Sequence, residues 1–192
     1  MKKLSKITES IWSDIQDRSM GKTVREEDKI TTNKELKNKI LELYIEQGEG
    51  DTLDVSSLTN RIKCNDFSSI FGGFDEVKHI IGLEDWDVSN VRSMEFMFQD
   101  CENFNCDLSK WDVSNVQYMA YMFKGCINFN SDLSNWDVSN VKSMAFMFEG
   151  CEKFNSDLSK WDVSNVKNMN FMFDDCKSLK QIPSWYYTQR VS

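Results

Sequence analysis

Four cysteines stand at the same place in successive segments of the chain, and their thiols are the first groups that could carry chemistry. They are 25 residues apart: Cys101, Cys126, Cys151 and Cys176. Stacked thiols could form disulfides, or could bind zinc if they were clustered within tetrahedral reach. The sequence contains no CxxC pair. The cysteines are spaced from their apolar neighbours so that their side chains should point into the core. We therefore predict buried free thiols that pack as small hydrophobic groups, with no metal and no cofactor.

Aspartates form two further columns that could hold calcium or hydrolyse a glycosidic bond. The first contains Asp87, Asp112, Asp137 and Asp162, and the second contains Asp107, Asp132 and Asp157. Calcium-binding repeats use glycine-rich loops that this sequence lacks. A repeated column also gives no reason to place one acid and one base in different environments. We predict Asx turns, in which each carboxylate accepts backbone N–H groups, and no enzymatic activity. A glycan-active enzyme is the least favoured alternative.

Asparagines repeat with the same period and predict a structural ladder. The column consists of Asn105, Asn130 and Asn155. Each side-chain amide is expected to bond the backbone of the neighbouring unit, because a buried turn needs its polar groups satisfied. Ser89, Asn90 and their equivalents in later units are expected to do the same.

Aromatic residues form two columns with different predicted roles. The tryptophans (Trp86, Trp111, Trp136 and Trp161) could stack on carbohydrate or could cover the edge of the core. The second column is Phe96, Tyr121, Phe146 and Phe171. On a helix, Phe96 would lie about 160° from the apolar face, so this column should point outward or sideways. An exposed aromatic strip would bind a protein partner. The alternative is lateral packing of each ring on the next unit.

These columns depend on a repeat of 25 residues. The sequence Trp-Asp-Val-Ser-Asn-Val begins at Trp86, Trp111, Trp136 and Trp161, and a weaker copy begins at Leu53. A unit of this size cannot bury its own apolar side chains, so we expect near-identical units to stack on one continuous core. Val91, Met94, Met97, Phe98 and Cys101 are at helical intervals. The stretch from Phe104 to Trp111 suits a short parallel strand. The predicted fold class is α/β, a solenoid with one short strand and one short helix or helical turn in each unit.

The unit, written WDVSNVxxMxxMFxxC and followed by FNxDLS, resembles the BspA-type leucine-rich repeat of bacterial surface proteins. The resemblance covers roughly residues 86–185 closely and residues 53–85 loosely. The ending Leu179–Pro183 is similar to the commoner form of the same family, LxxIP. The resemblance implies a right-handed leucine-rich-repeat solenoid that serves adhesion or recognition. It also implies a protein partner on a virion or cell surface, or a surface glycan.

Residues 1–52 differ in kind from the repeats. Leu4, Ile7, Ile11 and Ile15, with Trp12 alongside, form one apolar helical stripe. Thr32 and Glu35 predict a capping box that begins a second helix, which ends before Gly48. This region is predicted to be an N-terminal cap or an attachment segment that could also form homo-oligomers, with Ile7, Ile11, Trp12 and Ile15 as the attachment residues. Residues 11–21 resemble leader segments on proteins of crAss-like bacteriophages and their hosts.

The predicted division is therefore a helical segment at 1–52, an irregular first repeat at 53–85, regular repeats at 86–175 and a C-terminal cap at 176–192. The net charge of −8 and the pI of about 4.8 argue against nucleic-acid binding. The longest apolar runs are far too short to insert into a membrane. The N-terminus shows no signal peptide, so we expect cytoplasmic synthesis without Sec export, followed by display on a virion or bacterial surface. An intracellular protein–protein interaction scaffold is the alternative.

Overall fold

The computed structural model describes residues 28–188 and contains few regular elements within that range. Helix α1 spans Asn33–Glu46, and strand β1 (Thr52–Asp54) is followed by a 3-10 turn, Ser56–Leu58. Strand β2 spans His79–Ile81, and a short helix α2 spans Ser184–Thr188. Strands β1 and β2 pair in parallel, with Leu53 opposite Ile80. The predicted helix around residues 4–15, with its candidate attachment residues Ile7, Ile11, Trp12 and Ile15, lies outside the described range.

Helix α1 begins with the predicted capping box, which is confirmed. The hydroxyl of Thr32 accepts the N–H of Glu35 at 3.2 Å, and the Glu35 carboxylate accepts the N–H of Thr32 at 3.0 Å. Two reciprocal bonds thus satisfy donors that the first turn of a helix leaves unpaired. The helix buries Leu36 and Ile40 completely in the core that it shares with the repeats. It therefore lies against the first unit.

Successive units lie side by side and are joined by parallel backbone bonds. Isolated parallel bridges connect Asp66, Ser93, Tyr118, Ser143 and Asn168 in turn. Beyond each bridge, every second N–H donates to the following unit. For example, Phe96 donates to Ala120 at 3.0 Å and Phe98 donates to Met122 at 2.9 Å. Most of the intervening N–H groups bond within the unit, as Met97 does to Met94 at 3.3 Å and Cys101 does to Phe98 at 3.0 Å. This alternation satisfies most backbone N–H groups of a buried segment without regular secondary structure.

The helix predicted over residues 91–101 is wrong, because the segment consists of consecutive turns. Half of its N–H groups are used between units, which leaves them unavailable for bonds to the fourth residue before. Phe96 and Asp100 also adopt the left-handed conformation, with φ of 59° at both, and this interrupts a right-handed helix. The strand predicted over residues 104–111 is likewise not formed. The parallel pairing lies instead at the bridges that begin with Asp66 and Ser93.

Stacked phenylalanine rings fill the core between units. We call Phe98, Phe123, Phe148 and Phe173 the inner column. Its neighbouring ring centroids are 5.6 to 5.9 Å apart and nearly parallel. At the C-terminal end, the buried Tyr186 of α2 packs edge-on against Phe173 at 5.1 Å. Pro183 immediately precedes this helix.

Candidate interaction surface

The cysteine column lies inside the repeats, and each thiol bonds to the unit before it. The Sγ atoms of Cys101, Cys126 and Cys151 donate to carbonyls at 3.0 Å, and Cys176 does so at 3.1 Å. All are free thiols. Burial raises the pKa of Cys101 and Cys176 to about 12, and it raises the pKa of Cys126 and Cys151 well above the ordinary value. A thiol that burial holds protonated is a poor nucleophile and a poor metal ligand.

The aspartate columns form the predicted Asx turns, which are confirmed. In the first column, Asp87 accepts the N–H of Ser89 at 3.1 Å, and in the second column Asp132 accepts the N–H of Ser134 at 2.9 Å. The hydroxyl and N–H of Ser89 hold the pKa of Asp87 below its usual value. The N–H of Ser134 does the same for the pKa of Asp132. These carboxylates are therefore charged, local turn-forming groups.

A shallow polar hollow of about 410 Å³ lies beside the second aspartate column. Its lining includes Asp132, Asp157 and Lys160. Hydrogen bonds from Ser134 and Ser159 lower the pKa of both carboxylic acids. Hydrolysis of a glycoside by two carboxyl groups needs one of them to have a raised pKa so that it can donate a proton. Neither Asp132 nor Asp157 therefore has the raised pKa that the proton donor of this reaction needs.

Asparagine side chains bond from each unit to the next. The Oδ1 of Asn105 accepts the N–H of Asn130 at 2.7 Å, and the Oδ1 of Asn130 accepts the N–H of Asn155 at 2.8 Å. At another corner, the Nδ2 of Asn115 donates to the carbonyl of Ser89 at 2.8 Å, and Asn140 and Asn165 repeat this contact. Both sets tie the backbones of neighbouring units together.

The tryptophan column is buried, and three of its four indole N–H groups bond to neighbouring units, whereas that of Trp86 has no acceptor among the described residues. The four rings are 3 to 5% exposed. The Nε1 of Trp136 donates to the carbonyl of Leu108 at 3.0 Å, and Trp111 and Trp161 make the equivalent bond. Trp185 continues the series after the last regular unit, with a bond to Leu158 at 2.9 Å. A ring buried on both faces cannot stack on carbohydrate, so these tryptophans cover the edge of the core.

The remaining aromatic column lies at the surface, and we call it the aromatic ladder. It consists of Phe96, Tyr121, Phe146 and Phe171. Neighbouring ring centroids are 4.7, 4.8 and 5.0 Å apart, and the rings are nearly parallel. The first three side chains are half-buried, whereas Phe171 is 46% exposed. Each ring thus packs on the next unit and also presents an edge to solvent, which combines the two arrangements that the sequence left open.

All four residues of the aromatic ladder have a left-handed backbone, with φ between 57° and 60°. This conformation is costly for a residue with a large side chain, at about 1–2 kcal/mol each. The left-handed residues belong to the aromatic ladder, whereas the inner column only two residues away has none. The sequence gives no direct sign of it, because glycine is the usual residue at such positions.

Charged and polar side chains border the aromatic ladder. The Nζ of Lys124 lies 5.7 Å from the Tyr121 ring centroid and 5.3 Å from that of Phe146, and it forms an ion pair with Glu149 at 2.6 Å. Tyr118 is 40% exposed on an adjacent column. An apolar strip with a polar border is the arrangement found at protein-binding sites.

Comparison with known proteins identifies a family by its repeat. A family model described as "Mycoplasma protein of unknown function, DUF285" matches residues 65–186. No curated protein and no solved structure gives a significant match to the chain. The N-terminal stretch that resembles phage leader segments lies outside the matched residues. Between residues 28 and 188, none of the helices has the length and apolar character needed to cross a membrane. The same residues contain no cluster of side chains that could hold a metal ion.

Proposed function

The chain belongs to this family of repeat proteins, and on that premise we propose that it is a non-enzymatic recognition module, built as a leucine-rich-repeat-type solenoid, which binds a protein partner through the aromatic ladder. The proposed setting is a bacterial cell surface or a phage particle, where the module would serve adhesion or decoration. The observation that carries the proposal is the continuous stack of Phe96, Tyr121, Phe146 and Phe171 on the outside of the repeats.

The geometry of the aromatic ladder supports recognition because the rings are already ordered. Each ring is held by its neighbours at about 5 Å and by a fixed left-handed backbone. A partner would therefore gain aromatic contact area without the entropy cost of ordering these side chains. Aromatic residues are also the type that most often dominates binding energy at protein interfaces.

The chemistry of the other columns supports a function without catalysis. The thiols of the column are buried and protonated, and the indole N–H groups of Trp111, Trp136 and Trp161 are used between units. The carboxylates of Asp132 and Asp157 are both in turns that lower their pKa. None of these arrangements activates a nucleophile or prepares a proton donor.

The test removes the rings while keeping the backbone conformation. Asparagine tolerates positive φ, so Tyr121→Asn combined with Phe146→Asn deletes two rings at little cost to the turns. We expect the labelled full chain to bind intact cells or phage particles from its native source, and the double variant to lose at least about tenfold in affinity. A control variant, Lys110→Ala with Lys160→Ala, changes exposed residues outside the aromatic ladder and should bind normally.

Retention of binding by the double variant would contradict the proposal, provided that its thermal unfolding matches that of the parent chain. Binding only to material from inside the cell would instead favour the intracellular scaffold. If the chain hydrolyses a surface glycan and Asp132→Asn abolishes that activity, the protein is a glycan-active enzyme and the proposed non-catalytic function is wrong.

A further inference from the structure

The last regular unit ends in a row of backbone groups whose equivalents are paired in the other units. In the unit before it, the N–H groups of Met144, Phe146, Phe148 and Gly150 donate to the following unit at 2.8 to 3.0 Å. The equivalent donors belong to Met169, Phe171, Phe173 and Asp175. Within residues 28–188, these four N–H groups have no acceptor. We call the segment Lys167–Asp175 the open edge.

One carbonyl on the open edge is unused in the same way. Gln117 donates its N–H to Arg92, and Lys142 donates to Gln117, each at 2.8 Å. Lys167 in turn donates to Lys142, but its own carbonyl has no donor among the described residues. The open edge therefore displays unpaired the four N–H groups and the carbonyl that bond to the following unit elsewhere in the repeats.

The C-terminal residues close the core without covering the open edge. Tyr186 packs on the ring of Phe173, and Trp185 donates to the carbonyl of Leu158. On the outside, Phe171 is 46% exposed, and Asn168 and Asn170 are exposed as well. The apolar interior is thus protected, with Met169 and Phe173 only 5% and 6% exposed, while the edge reaches solvent at Phe171 and Asp175.

The opposite end of the repeats is arranged differently. There the exposed groups of the first unit are carbonyls, and the Nδ2 of Asn33 donates to two of them, those of Asp66 at 3.1 Å and Ser68 at 2.9 Å. Helix α1 therefore occupies the acceptor edge of this chain. A second copy cannot dock head to tail on the open edge while α1 is in place. A tail-to-tail contact would oppose N–H groups with N–H groups.

We infer that the open edge binds the acceptor edge of a repeat unit carried by a different protein, one whose first unit is not covered by a helix. The register follows from the interfaces between units in this chain. One residue of the partner protein lies opposite Asn168. The carbonyl groups of that residue and of every second residue after it accept the four free N–H groups. This inference does not depend on the proposed role of the aromatic ladder.

The side chains of the open edge specify the partner further. An aromatic residue of the incoming unit stacks on Phe171, as Phe171 stacks on Phe146 at 5.0 Å. Asp174 stands in the same column as Lys124 and Glu149, which form an ion pair across a unit boundary. The partner therefore carries a basic residue opposite Asp174. The exposed carboxylates of Asp174 and Asp175 disfavour an anionic ligand at the free N–H groups.

Amide exchange tests whether the open edge is free. In the full chain, the amides of Met169, Phe171, Phe173 and Asp175 should exchange at least about a hundredfold faster than those of Met144, Phe146, Phe148 and Gly150. Equal protection of the two sets would show that the edge is already covered, and it would overturn the inference.

A tethered segment tests what the open edge accepts. The sequence of residues 142–152, with Cys151→Ser, is joined to the end of the full chain through a flexible glycine-serine linker, which raises its effective concentration. We expect this segment to slow exchange of the four amides, whereas a scrambled segment on the same linker should not. Protection should increase about two- to fivefold with Glu149→Lys in the segment, the range of an exposed ion pair.

Replacement of the edge residue, Asp174→Lys, should reverse that preference and favour the segment that keeps glutamate. Equal protection by the scrambled segment, or no protection by any segment, would overturn the inference. Sedimentation of the unmodified chain should show a monomer. A concentration-dependent dimer that Asp174→Lys abolishes would assign the edge to a second copy and also overturn it.

Discussion

The inner column and the aromatic ladder run along the same units, two residues apart in the sequence, and they differ in exposure and in backbone conformation. Phe98, Phe123 and Phe148 of the inner column are fully buried, with ring centroids about 5.7 Å apart. The aromatic ladder stacks more closely, at 4.7 to 5.0 Å, but it reaches solvent. All of its members have positive φ, and none of the inner column does. One repeat thus separates a fully buried column from one that reaches solvent.

The largest predicted effect is on the inner column. Phe123→Ala removes a ring that stacks on Phe98 and Phe148 and also contacts Phe129 at 4.1 Å, so it should lower the free energy of unfolding by about 3–5 kcal/mol. Urea unfolding measures the change. The matched substitution on the aromatic ladder, Tyr121→Ala, should cost clearly less. Equal costs would mean that the two columns are not separated in the way the structure indicates.

A smaller change in stability should separate the contribution of the left-handed backbone of the aromatic ladder from that of its rings. Tyr121→Val and Tyr121→Asn both delete the ring, but only asparagine accepts the left-handed conformation readily. The valine variant should therefore be less stable than the asparagine variant by about 1–2 kcal/mol. Thermal unfolding of the two variants side by side provides the comparison. Equal stability would show that φ at residue 121 is not positive in solution.

These two columns also show how far the sequence predicts the structure. The period of 25 residues, the capping box of α1 and the Asx turns were all readable from spacing and residue type. The segment from Val91 to Cys101 was not, because its apolar residues recur at intervals of three and four that suit consecutive turns as well as a helix. The following unit of the chain decides between a helix and turns, because its carbonyl groups accept every second N–H group of the segment.

The left-handed positions explain the other missed features. Gly125 and Gly150 have φ of 74°, and their equivalents Asp100 and Asp175 have φ near 59°. The two glycines were the available clue to a turn in each unit, since the helical interpretation offers no reason for them. The open edge was not predictable either. It depends on which end of the repeats α1 covers, and the sequence alone does not specify that arrangement.

The smallest predicted effect per residue is the loss of stability at acidic pH. It comes from the aspartates of the Asx turns and from neither aromatic column. Serine hydroxyl and N–H groups lower the pKa of Asp87 and Asp112 in the folded chain. A carboxyl group with a lowered folded pKa stabilises the fold above its unfolded pKa, near 4, and this stabilisation is lost as the pH falls through the folded value. Stability should therefore be level near neutral pH and should decline below about pH 4. Asp112→Asn should make that decline shallower, as measured by urea unfolding at several pH values. A steeper decline would contradict the assignment.

The aromatic ladder and the inner column can be compared most directly by thermal unfolding of the chain carrying Tyr121→Asn and Phe146→Asn, in the same preparation used for binding. We predict that binding is lost while the midpoint falls by only a few degrees, because about 1 kcal/mol corresponds to roughly 2–4 °C in a chain of this size. A midpoint lowered as far as that of Phe123→Ala would contradict it, since the aromatic ladder would then be part of the core.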